Sequence, residues 1–162
     1  EEMIKIASKV NPKFICIVPE KRNEITTEGG LNLNKISQSK LKKLLKISGK
    51  KNIQLSAFIN PTKQMINLAK NLGFDTVELH TGNLDKKIVR KSTINQINEM
   101  IEYAHFKKLI VNVGHGLNFK NIKFIKKRKY VDTVHVGHFI ISEAIFISLS
   151  KTINIFRNLI KK

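Results

Sequence analysis

Cysteine, tryptophan and acidic residues are scarce in this sequence, and these scarcities exclude several classes of protein. The 162 residues contain one cysteine, Cys16, so a disulfide scaffold cannot form within the chain. No apolar run approaches the ~20 residues of a membrane-spanning helix. No basic and apolar leader of the secretory type opens the chain. We therefore expect a soluble cytoplasmic protein with no membrane partner.

Acidic side chains are outnumbered by basic ones, 12 to 30, which gives a formal charge of +18. Most of the basic residues are lysines, and isoleucine and asparagine are also abundant. This pattern is typical of a general compositional bias toward these three residues, which raises the positive charge without selection for a binding partner. The lysines are scattered over predicted helix surfaces, so we expect a solvated basic surface with no nucleic acid as partner. A basic nucleic-acid-binding protein remains an alternative. It would require lysines and arginines concentrated on one face.

Short β-branched segments alternate with longer segments of helical spacing. The strand candidates are residues 14–18, 53–59, 76–79, 109–113 and 133–136. The helix candidates are an opening segment from Glu1, residues 36–47, 61–72 and 93–106, and two helices within 140–162. This order predicts an α/β fold with a parallel sheet in one domain over residues 1–162. A doubly wound sheet and an eight-stranded TIM (β/α)₈ barrel both fit, although five strands are too few to close a barrel.

Polar residues gather where the predicted strands end. Glu78 and His80 share one strand face because they are two residues apart. His115 lies between two glycines after the next strand, and His138 follows Gly137 after the last one. Active sites of barrels and open α/β sheets form at this edge, and histidine and carboxylate side chains serve there as acids and bases. A buried structural salt bridge of Glu78 is the alternative.

Other parts of the sequence give weaker indications. The loop at residues 26–30 carries hydroxyls and two glycines, so it is either a lid over a ligand or an ordinary polar loop. The histidines lack metal-ligand spacing, so we expect no metal. The strand context of Cys16 favours a small core residue over a nucleophile. Neither a dinucleotide-binding glycine motif nor a P-loop is present.

Five motifs at these strand ends occur together in order: VPEKR at 18–22, EITTEGG at 24–30, ELHTG at 78–82, VNVGHGL at 111–117 and VGH at 136–138. With them, the chain closely resembles the pyridoxine 5'-phosphate synthase family of vitamin B6 biosynthesis. The resemblance implies a (β/α)₈ barrel assembled as a homo-octamer. It also implies a cofactor-free transferase that condenses 3-amino-2-oxopropyl phosphate with 1-deoxy-D-xylulose 5-phosphate to give pyridoxine 5'-phosphate, phosphate and water.

The resemblance also assigns roles to individual residues. His115 matches a catalytic proton donor, and Glu78 matches a catalytic carboxylate that stabilises charge in the transition state. Thr26 matches a contact to the deoxyxylulose phosphate. Contacts to the aminooxopropyl phosphate are matched by Gly116, Gly137 and His138. Another phosphate-binding barrel enzyme is the alternative within the same class of fold.

The sequence departs from the family in what it lacks. The family's first three strands carry further substrate-binding and base residues, and no counterpart of these is present. We therefore expect the chain to represent strands four to eight of the barrel, with the missing strands before Glu1. A chain of this extent is expected to be unstable and inactive alone, so the synthase assignment applies to the full-length protein.

Overall fold

The computed structural model of the protein describes residues 2–19 and 29–161. Along these residues, strands and helices alternate as the hydrophobic pattern predicts. The strands are β1 (Phe14–Ile17), β2 (Gln54–Ile59), β3 (Thr76–His80), β4 (Ile110–Gly114) and β5 (Val134–His135). The helices are α1 (Glu2–Val10), α2 (Gln38–Lys51), α3 (Lys63–Asn71), α4 (Lys91–Phe106), α5 (His138–Ile147) and α6 (Leu149–Ile160). No helix of the described chain is long and apolar enough to span a membrane.

The five strands form one parallel sheet whose order in space is their order in the sequence, β1-β2-β3-β4-β5. A doubly wound sheet would reverse direction at a switch point, with later strands placed on the other side of the first. The unbroken order is that of a (β/α) barrel wall, and the sheet curls into a half-barrel. The predicted α/β class is confirmed, and the barrel alternative fits the observed order.

The two faces of the sheet differ sharply in character. The side chains of one face are fully buried against the helices, and we call this face the outer face. Its residues are Leu55, Ala57, Ile59, Val77, Leu79, Val111 and Val113. The alternate residues point to the opposite, inner face, as the period of two of a strand requires. That face carries Ser56, Phe58, Thr76, Glu78, His80 and Asn112. Burial of the outer face holds the strands in a fixed register, and the register sets the positions of the polar inner residues.

Helix boundaries follow from local capping. Helix α3 begins after Thr62, whose hydroxyl accepts a hydrogen bond from the backbone N–H of Met65 at 3.3 Å. Pro61 therefore precedes the cap, and the helix begins two residues inside the predicted segment 61–72. Helix α2 ends at Lys51 and is capped by Asn52, which adopts the left-handed conformation with φ of 52°.

Candidate active site

A carboxylate–imidazole pair lies at the centre of the inner face. The Oε2 atom of Glu78 on β3 is 2.6 Å from Nδ1 of His135 on β5. The Glu78 side chain is 12% exposed, whereas that of His135 is 44% exposed. The hydrogen bond to Glu78 raises the pKa of His135 above its ordinary value of 6.5. The buried carboxylate thus has a hydrogen-bonded imidazole as partner, and the contact becomes an ion pair when His135 is protonated.

His80 and His115 form a second pair beside the first. Their ring centroids are 4.8 Å apart, and the edge of the His80 ring also packs on Phe58. Burial, together with nearby His115, lowers the pKa of His80 from 6.5 to about 4. His80 is therefore a neutral imidazole near pH 7. It can shape the site and exchange hydrogen bonds without adding charge.

The turn after β4 presents His115 in a constrained backbone conformation. His115 has φ of 75°, in the left-handed region that is uncommon for residues other than glycine, although asparagine, aspartate and histidine adopt it more often than the rest. Thr81, fully buried, lies under this turn, and its Oγ1 atom is 2.7 Å from the carbonyl oxygens of both Gly114 and His115. The N–H of Thr81 also donates to Gly114 at 2.8 Å. Strain at a residue held by such contacts is typical of functional sites.

Glycines flank His115 because side chains would not fit there. A Cβ atom at Gly114 would lie 2.1 Å from Oε1 of Glu78. A Cβ atom at Gly116 would lie 2.9 Å from Cα of Gly82, and φ at Gly116 is +68°. The Gly-His-Gly sequence therefore serves two purposes, because it leaves space for the carboxylate and allows the tight turn.

A cavity of about 290 Å³ opens at the carboxyl ends of β4 and β5. It is lined by Asp85, His115, Gly116, Leu117, Asn118, His135, Val136, Gly137, His138, Phe139 and Ser142. Helix α5 starts at its wall, with Gly137 as the N-cap residue and no side-chain cap. The first helical hydrogen bond runs from Ile141 N–H to the Gly137 carbonyl, so the amides of residues 138–140 precede it. Free amides at a helix start favour anionic groups.

The predicted site residues converge on this cavity. His115, Gly116, Gly137 and His138 line it, and Glu78 is joined to it through His135. Thr26 lies outside the described residues. Within the described residues, Gly30 donates its N–H to Asn60 Oδ1 at 2.9 Å just after β2.

Three residues have contacts that sequence reasoning missed. His135 lies in the predicted strand 133–136, but its contact with Glu78 across 57 residues was not foreseen. Thr81 was part of a motif without a role of its own. The core placement of Cys16 is wrong, because the residue is exposed on the inner face, where its Sγ atom is 3.8 Å from Oε2 of Glu78. Partial desolvation of the thiol raises the pKa of Cys16 from 9.0 to about 11, so the thiol is protonated near pH 7.

Metal-binding geometry is absent from the described residues, where no cluster of three or more histidine, cysteine or carboxylate side chains is arranged to hold an ion. The chemical groups that the site offers are the imidazoles of His80, His115 and His135, the Glu78 carboxylate and the amides at the start of α5. This set suits acid–base work on a phosphate-bearing compound.

Comparison with known proteins gives one consistent result. A pyridoxine 5'-phosphate synthase of Pelagibacter ubique is 41% identical over 171 residues, which cover 100% of this chain and 69% of the relative. A relative of the same name from Prochlorococcus marinus (strain MIT 9215) is 40% identical, and the match covers 99% of this chain and 68% of the relative. Another, from Thermodesulfovibrio yellowstonii, is 39% identical, and the match covers 100% of this chain and 67% of the relative. The family described as pyridoxal phosphate biosynthesis protein PdxJ matches residues 1–162. The chain therefore belongs to the PdxJ family, as its strand-end motifs predicted.

Proposed function

We propose that the complete product of the gene that encodes this chain is a pyridoxine 5'-phosphate synthase. We refer to this product as the full-length gene product. It condenses 3-amino-2-oxopropyl phosphate with 1-deoxy-D-xylulose 5-phosphate, a transferase reaction that releases phosphate and water. The observation that carries the proposal is the shared cavity. His115, Gly116, Gly137 and His138 line it, and Glu78 is tied to it through a 2.6 Å contact with His135.

His115 is the proton donor in this proposal. Ring formation proceeds through an imine, proton shifts and dehydrations, and each loss of a hydroxyl as water needs a proton at the departing oxygen. The His115 ring borders the cavity, and the turn that carries it is held by Thr81. Because the backbone of this turn is fixed at the cavity edge, the His115 imidazole is placed to deliver a proton to a substrate bound there.

Glu78 provides negative charge beside the cavity. An iminium or protonated intermediate carries positive charge, and a fixed carboxylate in a site with little water stabilises such charge more strongly than it would in solution. The Glu78 side chain is 12% exposed, and its Oε2 atom is held by His135. Its position on β3, in register with Phe58 and Asn112, places it on the inner face beneath the strand ends.

The start of α5 binds a substrate phosphate in this proposal. The amides of residues 138–140 precede the first helical hydrogen bond, and the N-cap residue Gly137 has no side chain that would occupy the position of an anion. Asp85 also lines the cavity, where its Oδ1 atom accepts a hydrogen bond from Asn118 Nδ2 at 2.9 Å. The helix amides thus provide the donors that phosphate requires.

Replacing Gly137 with alanine tests the phosphate subsite. A Cβ atom at Gly137 meets no other atom within 4 Å, so the variant should fold with an unchanged melting temperature. The added methyl group would stand where we place the phosphate. Steady-state kinetics of the full-length gene product should therefore show KM for 3-amino-2-oxopropyl phosphate raised by about tenfold, the loss of roughly one good hydrogen bond.

The matched comparison is Gly116→Ala, in which the added Cβ atom would collide with Gly82 and occupy a positive φ. This variant should lose thermal stability as well as activity. An unchanged KM in Gly137→Ala, measured on folded protein, would place the phosphate elsewhere.

We further propose that β1 to β5 correspond to strands four to eight of a complete barrel, within a homo-octamer. Five strands span part of a barrel wall, and the matched region covers 67–69% of the three relatives compared above. Exposed apolar side chains on α5, with Ile145 at 79% and Phe146 at 81% exposure, provide surface that further strands or subunits would cover. On this basis, the 162-residue chain alone is inactive.

Genetic complementation tests the proposed function. A bacterial strain that lacks its own pyridoxine 5'-phosphate synthase should grow without added vitamin B6 when it expresses the full-length gene product. The Pelagibacter relative is the positive control, and the 162-residue chain alone should not restore growth. Failure of a soluble full-length gene product, in a strain that the relative rescues, would overturn the function. Growth with the 162-residue chain would instead overturn the proposal that further strands are needed.

A further inference from the structure

We propose that His135 is a positioning residue, which holds the Glu78 carboxylate in the orientation that the reaction uses. The inference rests on the proposed function, because it gives His135 a part in the same site. None of the family motifs in this sequence assigns His135 a role, whereas the geometry connects it directly to the buried carboxylate.

The pair crosses an intervening strand, and a glycine makes that crossing possible. Glu78 is on β3 and His135 is on β5, so β4 lies between them. The residue of β4 in register with His135 is Gly114. A Cβ atom at this position would lie 2.1 Å from Glu78 Oε1 and 3.1 Å from His135 Cβ. The space above Gly114 is therefore the path by which the two side chains meet.

The charges around Glu78 leave His135 as its ionic partner. The described titratable groups on this face are Cys16 on β1, His80 on β3, His115 after β4 and His135 on β5. Asp85 and His138 line the cavity beside His135. Cys16 and His80 are neutral near pH 7, since their pKa values are about 11 and about 4. The His115 ring packs against His80 at a tilt of 36°, whereas the 2.6 Å contact to Glu78 is made by His135.

His135 also links the carboxylate to the phosphate end of the cavity. It is three residues before His138, where α5 begins, and both residues line the cavity. A hydrogen bond from His135 therefore fixes Glu78 relative to the amides at the helix start. Fixed separation between the acid–base groups and the phosphate anchor is what keeps a bound substrate aligned.

Two variants of the full-length gene product separate positioning from packing. His135→Leu removes the hydrogen bond and keeps an apolar side chain of moderate size. His135→Asn keeps a donor, because asparagine Nδ2 occupies the place along the side chain that histidine Nδ1 occupies. We expect kcat for pyridoxine 5'-phosphate formation to fall about 10- to 100-fold in His135→Leu, the range for loss of a hydrogen bond to a charged group. In His135→Asn it should fall no more than about threefold, since that bond is retained.

The matched control is His105→Leu. His105 is an exposed histidine on α4, where it stacks on Tyr130 at the opposite end of the strands. This variant should leave kcat unchanged. If His135→Leu and His135→Asn lose activity and melting temperature to the same extent, His135 has a packing role and the proposal is overturned.

Titration of the histidines by NMR tests the pair without relying on activity. In the full-length gene product, the imidazole of His135 should titrate above pH 6.5, since Glu78 stabilises its charged form. Glu78→Gln removes the negative charge, and the pKa of His135 should fall. Its proton is bound at low pH and is lost as pH rises through the raised pKa, so the ionic pairing weakens on the alkaline side. The His135→Asn variant identifies the signal and lacks this transition.

The outcomes distinguish the two proposals. An unchanged His135 pKa in Glu78→Gln would show that the pair does not form, and the positioning role would be overturned. If the wild type shows the pair but His135→Leu keeps full kcat, the positioning role would also be overturned. If the wild type makes no pyridoxine 5'-phosphate although the NMR shift shows the pair, the proposed function fails, and with it the role of the pair in that reaction.

Discussion

Replacing Glu78 with glutamine in the full-length gene product is expected to lower kcat for pyridoxine 5'-phosphate formation by about 10²- to 10³-fold, the usual cost of losing one preorganised electrostatic contact. Glutamine has nearly the same shape, so the fold should be retained. The variant loses the negative charge that the buried carboxylate holds beside the cavity. Steady-state kinetics with both substrates, together with a melting curve, measure the effect and show whether the variant is folded.

The matched control for this substitution is Glu99→Gln. Glu99 forms an ion pair with Lys63 at 3.0 Å, in which both side chains are more than half exposed. Exposed pairs contribute little to stability, and this one is on the helices, away from the inner face. Equal losses in Glu78→Gln and Glu99→Gln would mean that charge on the protein as a whole, and not at this site, determines the rate.

His115→Asn is expected to have an effect of similar or greater size, lowering kcat by about 10²- to 10⁴-fold, as the loss of a general acid does. Asparagine is the appropriate replacement because it tolerates the left-handed backbone that His115 adopts, with φ of 75°. The turn and its two contacts to Thr81 should therefore persist, while the group that donates the proton is lost. KM should change much less than kcat, because the phosphate contacts are not altered.

His105→Asn makes the same chemical change at an exposed site on α4. It should retain wild-type kcat. A full-activity His115→Asn variant would exclude His115 as the proton donor and would leave the neighbouring His80 or the cavity-lining His138 as candidates. A variant that melts well below the wild type would show instead that the turn depends on the imidazole.

Much of the fold follows from the sequence because the strands are short β-branched segments separated by helical ones. All five strands and the six α-helices of the described residues fall within the predicted segments or a few residues from their ends. The face that each strand presents is harder to predict, since strands of a barrel are buried on both sides and lack a clear alternation. The segment Phe14–Ile17 is uniformly apolar, which is why Cys16 was assigned to the core although it faces Glu78.

The site was predictable in its location more than in its contacts. Strand-end histidines and glycines indicated the edge of the sheet at which the candidate cavity lies, because the carboxyl ends of parallel strands meet there. The Glu78–His135 contact depends on the register of three strands and on the missing side chain of Gly114. The buried Thr81 hydroxyl similarly finds its acceptors 33 and 34 residues away in the chain. Distances of this kind arise from tertiary packing, which no local pattern encodes.

The most direct test is formation of the product by purified protein. The full-length gene product should be incubated with 3-amino-2-oxopropyl phosphate and 1-deoxy-D-xylulose 5-phosphate, and pyridoxine 5'-phosphate should be measured by mass spectrometry, with each substrate omitted in turn as a control. The proposed function predicts product when both substrates are present, one phosphate released for each product molecule, and none when either substrate is absent. A folded protein that forms no product from both substrates, under conditions in which the Pelagibacter relative does, would contradict it.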